Sequence, residues 1–200
     1  MKLTPIAAAL AMLALPVAAQ IGNPGNLDPG TPILEDDTPD PDHVNDHDTL
    51  SAQLLIEGGM AEIGLARLAA DRSHRPEVRD FADVLIEDHE KANAQLQALA
   101  EAAGIPSPGG LNADHQAIQD RLEKLSGDDF DQAFVDALIT DHQKTIQLLS
   151  GEVDSGQNTP LQAAAGALLP VIQGHLTRAE ALRDQIAAPD GTRPTNRPQP

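Results

Sequence analysis

The sequence predicts an all-α protein, and three observations carry that reading. Aromatic residues are scarce, three Phe with no Tyr or Trp in 200 residues, while Ala and Leu abound; that balance suits close-packed helices better than an aromatic-rich β-sandwich. Four long segments repeat apolar residues at helical spacing. Two of these segments are related: Phe81 to Leu96 aligns without a gap on Phe134 to Leu149, with eight of sixteen positions identical. Because the other two segments lack the repeated motif, a bundle with internal pseudo-symmetry fits better than a solenoid.

Composition narrows the function classes. With no Cys, disulfides, Cys-based zinc sites, iron–sulfur clusters, thiol nucleophiles and lipid attachment through an N-terminal Cys are excluded. A net charge of −18 repels phosphate backbones and anionic membrane faces, so the chain is expected to bind no nucleic acid, and cations are its natural small partners. No Gly-rich phosphate loop, Ser-based nucleophile elbow or His-Glu-x-x-His motif is present.

The chain opens with Lys2, an apolar run from Ile6 to Val17 and the small residues Val17-Ala18-Ala19, the anatomy of a secretory signal peptide with cleavage expected after Ala19. No later segment is apolar enough to predict a membrane span, so the mature protein is expected in the periplasm or outside the cell. Residues 20–47, rich in Pro, Gly, Asn and Asp, read as a solvated leader, and residues 188–200 as a matching tail. Asp42-His43 and Asp46-His47-Asp48 offer loose chelation of a divalent ion, which the cost of ordering a flexible segment opposes.

Residues 48–187 form the predicted domain. The first long helix is expected from Asp48 to Ser73, with Asp48 or Thr49 as N-cap. The second starts at Pro76 and lasts to Gly104, a suitable residue just past a helix end. After a Pro/Gly-rich stretch comes a short helix, Asn112 to Leu125, then a third long helix from Asp128 to Asp154 and a fourth from Thr159-Pro160 to Ala187. Inside the fourth, Pro170 removes one backbone hydrogen bond and is expected to bend the helix, a packing feature more than a functional one.

Heptad phasing says where the repeated motif points. Both copies contain Asp-His-x-Lys, at Asp88 to Lys91 and Asp141 to Lys144. The seam Val78, Phe81, Leu85, His89, Ala92, Leu96, Leu99 runs along one side of the second long helix, and Phe134, Leu138, His142, Thr145, Leu149 along the third. In the fourth, Leu161, Ala165, Leu168, Ile172, His175, Ala179 and Leu182 make the seam. Each His lies near the midpoint of a helix roughly 40 Å long, so three imidazoles are expected to meet at mid-bundle whichever way the helices run.

The first helix supplies the fourth wall in one of two phases. The seam through Leu50, Leu54, Glu57, Ala61 and Leu68 turns Glu57 inward; the seam through Leu55, Gly58, Glu62, Leu65 and Ala69 selects Glu62. Gly58 and Gly59 each cost roughly 1 kcal/mol against Ala inside a helix, explicable if a ligand or a close helix approach requires them. His115, on the short helix among Asp114, Gln116 and Asp120, reads as a surface residue.

At these residues the chain resembles a bacterial family of exported ferritin-like proteins, the one catalogued as domain of unknown function 4142. The resemblance rests on Gly58-Gly-Met-Ala-Glu-Ile63, Val78-Arg-Asp-Phe-Ala82, Asp88-His-Glu-Lys-Ala-Asn93, Gly127-Asp-Asp-Phe-Asp131, Asp141-His-Gln-Lys144, and Leu169-Pro170 followed by His175-Leu176. It implies a ferritin-like four-helix bundle, with a short extra helix between the second and third long helices, and export; it brings no established activity.

The candidate site is therefore a metal centre of His89, His142 and His175 with Glu62, or else Glu57, from the first helix and Met60 as a soft contributor. Neutral imidazole suits copper and zinc first, iron and manganese after them. Asp88 and Asp141 stand beside two of the histidines for outer-layer or salt-bridge roles with Lys91 and Lys144. Residues three before each His are Ile86, Ile139 and Ile172, so the Glu-x-x-His pattern of di-iron bundles is absent and oxidase chemistry does not follow from the fold. These features point to metal handling or envelope stress tolerance. The competing readings are a metal-free envelope interaction module with a structural His cluster and, more remotely, a metal-dependent redox enzyme.

Overall fold

The computed structural model describes residues 43–188; the predicted signal peptide, nearly all of the leader and the tail from residue 189 lie outside the described residues. Five helices follow one another: α1 (Asp46–Arg72), α2 (Pro76–Ala102), α3 (Ala113–Leu122), α4 (Gly127–Ser155) and α5 (Thr159–Ala187). Among the described residues there is no strand, and no helix is long and apolar enough to cross a membrane.

Local chemistry sets the ends. The first helix begins two residues before Asp48, because Asn45 is its N-cap: the Asn45 side chain accepts from the Asp48 amide at 2.8 Å while the Asp48 carboxylate accepts from the Asn45 amide at 2.7 Å. His47 and Asp48 thus belong to the first turn of α1 and not to a chelating leader. Asp48 is buried and also accepts the amides of Gln157 and Asn158, which ties the start of α1 to the α4–α5 turn. At the end of α2, Gly104 takes φ +70°, and Ile105 donates to the Ala100 carbonyl at 2.8 Å while Gly104 donates to Glu101. This is a Schellman closure, and Ile105 completes it by burying its side chain. The short helix is tighter than its sequence suggests, capped by Asn112 and finished at Leu122. Helix α5 continues through Pro170.

The four long helices split their core into two apolar clusters. One joins the carboxyl half of α1 and the amino half of α2 (Leu65, Ala69, Phe81, Leu85) to Phe130, Phe134 and Leu138 of α4 and Ala179 and Leu182 of α5. The other joins the opposite halves, with Leu55 and Ile56, Leu96 and Ala100, Leu149, and Leu161 and Ala165. Helices α2 and α4 therefore run parallel, and α1 and α5 run against them. The connection between α2 and α4 must cross the length of the bundle, as in ferritin-like folds, and α3 lies on this crossover against α1 and α4.

The phase of α1 is now settled. Leu55, Glu62, Leu65 and Ala69 are buried, whereas Leu50 and Leu54 are 56 % and 42 % exposed. Gly59 is required by packing: a Cβ there would stand 2.2 Å from Asn93 Oδ1, and Asn93 Nδ2 crosses from α2 to donate to the Ile56 carbonyl at 3.1 Å.

Candidate metal centre

Between the two apolar clusters lies a polar layer with one contribution from each long helix: Glu62 of α1, His89 of α2, His142 of α4 and His175 of α5. All four are buried. One nitrogen from each of the three imidazoles lies within 4.8 Å of the others, and the ring centroids are 5.4 to 5.9 Å apart. Near-equal helix lengths, 27 to 29 residues, and mid-helix positions produce this meeting, as the seams require.

Hydrogen bonds orient two of the rings. His142 donates from Nδ1 to the Leu138 carbonyl at 2.8 Å, which leaves Nε2 with a bare lone pair. His175 donates from Nε2 to Asp88 Oδ2 at 2.9 Å, which leaves Nδ1 bare. His89 Nε2 lies 2.6 Å from Glu62 Oε2, yet off the direction a hydrogen bond needs, so neither atom has a partner. Four buried atoms are thus without a hydrogen bond: His89 Nε2, His142 Nε2, His175 Nδ1 and Glu62 Oε2. Native interiors rarely leave such groups orphaned in a cluster.

Electrostatics keep these histidines neutral. Burial pushes His89 down to about 4, and it also lowers His142 and His175, against the pull of Glu62 on His142 and of Asp88 on His175. Burial pushes Glu62 up to about 8 despite the nearby His142, and Asp141 adds to the rise. Near pH 7 the layer therefore presents imidazole lone pairs beside a carboxylic acid.

A second polar group sits outside the first. Glu57, expected as an alternative ligand, is buried under the crossover, where it accepts from the Asn112 amide and side chain, both at 2.8 Å, and holds His115 Nδ1 at 2.9 Å. His115 Nε2 reaches Asp141 Oδ1 at 3.2 Å. His115 is therefore no surface residue: it is the strut between α1 and α4. Asp141 first, with Glu57, holds it protonated up to about 9 against burial. Burial works to raise Asp141, but hydrogen bonds with His115 and Glu62 outweigh it and keep it an anion.

Of the residues singled out in the sequence, His89, His142, His175 and Glu62 come together, and Glu57 goes to His115. Met60 packs, partly buried, against the apolar cluster around Leu55 and Leu96. The aspartates of the repeat, expected in outer-layer or lysine salt-bridge roles, take histidine partners: Asp88 with His175 and Asp141 with His115. His115 reads as a surface residue from sequence because its partners lie far away in the chain. A signal existed nonetheless: α1 carries two plausible apolar seams, and the one through Glu57 and Ala61 turns Glu57 toward the crossover.

Fold and polar layer together define a four-helix bundle with an imidazole-rich centre. The chain belongs to the family described as domain of unknown function DUF4142, whose model matches residues 35–182. No curated protein matches it. Among solved structures it is similar to a DUF305 fragment from Deinococcus radiodurans, with a TM-score of 0.65 at 16 % identity over 71 % of this chain and 98 % of that one. It is also similar to CopM in the Cu(II)-bound form, TM-score 0.60 at 15 % identity, over 69 % of this chain and 96 % of that one. The Cu(I)-bound form of CopM gives 0.61 at 14 % identity, over 70 % and 98 %. At such identities the likeness is one of fold.

Proposed function

We propose that this chain is an exported metal-binding bundle that holds a transition-metal ion at His89, His142 and His175 with Glu62, and that it serves metal handling or envelope stress tolerance. The observation that carries the reading is the set of four buried ligand atoms left without hydrogen bonds in one layer. Two nitrogens each about 2.1 Å from one ion stand at most about 4.2 Å apart, so a group within 4.8 Å closes on an ion with shifts of under an ångström or so. The bonds to Leu138 and Asp88 fix the rings that would hold it, as outer partners do at metal centres.

Three imidazoles and one carboxylate favour copper or zinc over iron and manganese, which take more oxygen ligands. The copper-bound forms of CopM, on the same fold, lend support to copper. Export rests on the signal-peptide pattern of residues 1–19.

The test is elemental analysis of untagged protein purified from the periplasm, beside a His89→Ala/His142→Ala variant. Near-stoichiometric copper or zinc that disappears in the folded variant is the expected result. Absence of metal, with no uptake when copper or zinc is supplied, sinks the reading. It would leave a metal-free interaction bundle, which the Leu138 and Asp88 bonds suit equally well because they need no ion.

A further inference from the structure

The buried layer sits against a small cavity of about 30 Å³, lined by Glu62, His89, Asn93 and Thr145 among apolar residues. That space suits one or two water-sized spheres. Outside it, a groove of about 460 Å³ runs between α1, α4 and the start of α3, with Glu57, Asp114 and Asp141 along it beside His115 and Lys144. Two residues line both spaces: Gly58 of α1 and Thr145 of α4.

Gly58 has no other structural reason to be glycine. Its backbone is helical, so no left-handed conformation demands it. A Cβ built on it meets nothing within 4 Å, in contrast to Gly59, which Asn93 requires. Glycine in the interior of a helix is disfavoured relative to alanine, and here no neighbour is accommodated in return. At Gly58 the wall shared by groove and cavity therefore carries no side chain.

We propose that Gly58 and Thr145 frame the passage through which a d-block cation travels from the groove to the imidazole layer. This route rests on the metal-binding reading above. The competing entrance lies on the far side of the layer, where Asp88 is 40 % exposed beside His175.

The test measures loading rates on the full chain. Aqueous Cu²⁺ or Zn²⁺ is mixed with metal-free protein, and the unbound ion is followed with a chromogenic chelator. Gly58→Leu should load at least tenfold more slowly than the wild type yet reach the same final stoichiometry, while Gly58→Ala, which adds only a methyl group, should load within about twofold of it. Thr145→Leu narrows the passage from the opposite wall and should slow loading as well, which keeps the test decisive should Gly58→Leu misfold. Wild-type rates in both leucine variants would overturn the route and leave the Asp88 side as the entrance. A wild-type chain that takes up neither ion would overturn the metal reading itself, and the route with it.

Discussion

The two polar groups at mid-bundle use the same side chains and reach opposite states. In the inner layer three histidines and Glu62 are sealed from solvent with ring atoms unpartnered, and burial holds His89 near 4. In the outer group one histidine has a carboxylate on each nitrogen, and those carboxylates hold it protonated up to about 9. A His at the core of a bundle is thus not one kind of object. Where desolvation dominates it offers a lone pair; where paired acids dominate it becomes a fixed cation.

The sharpest way to break this comparison is to replace both kinds of histidine with leucine. His115→Leu leaves Glu57 and Asp141 facing each other without a counter-charge and should lower stability by about 1–3 kcal/mol. His142→Leu in metal-free protein removes a buried Nε2 that has no partner and puts an apolar side chain between the two clusters, against the loss of one Nδ1 bond to Leu138, so its cost should be near zero or negative. Thermal melts of the two variants check the contrast; an equal loss in both would erase it. Added copper or zinc should raise the wild-type melting temperature, by about 2.7 kcal/mol of linkage at a hundredfold excess over Kd, and leave His142→Leu much less affected.

The pH dependence should divide in the same way. The stability due to His115, whose pKa is raised on folding from 6.5, is fully present below 6.5 and lost as pH rises through about 9. His89 is lowered on folding, so its contribution is present above 6.5 and lost as pH falls toward about 4. Melts of metal-free protein between pH 4 and 10 should therefore show an alkaline limb that flattens in His115→Gln and an acid limb that flattens in His89→Leu. Glu62, raised from 4.5 to about 8, acts with the same sign as His115 but between pH 4.5 and about 8, so it opposes the His89 limb and remains when His115 is gone.

Smaller effects test the frame around the layer. Gly59→Ala puts a methyl group on Asn93 and must break its bond to the Ile56 carbonyl, at about 1–3 kcal/mol. Gly104→Ala, at φ +70°, should cost about 1 kcal/mol through backbone strain alone. Chemical denaturation resolves both.

Much of this architecture was legible because heptad seams are local. The seams of α2, α4 and α5 placed His89, His142 and His175 inward, and near-equal lengths placed them at one height. What escaped depends on contacts remote in sequence. Asn45 was hidden in a Pro/Asp-rich leader, although Asn45-x-x-Asp48 is itself a capping pattern. The choice between Glu57 and Glu62 was left open because both are buried, one under the crossover and one in the core. Periodicity reports that a face is covered and says nothing of what covers it.

The polar layer draws Glu62 and His89 from one helical hairpin, α1 with α2, and His142 and His175 from the other, α4 with α5. Each hairpin alone would offer two donors, a weak chelate; only the docked pair offers four. An ion held there would act as a rivet between halves of the molecule, and it would leave no faster than the halves part or a wall opens. Its residence time would then be a mechanical property of the seam between hairpins more than a property of any single metal–ligand bond.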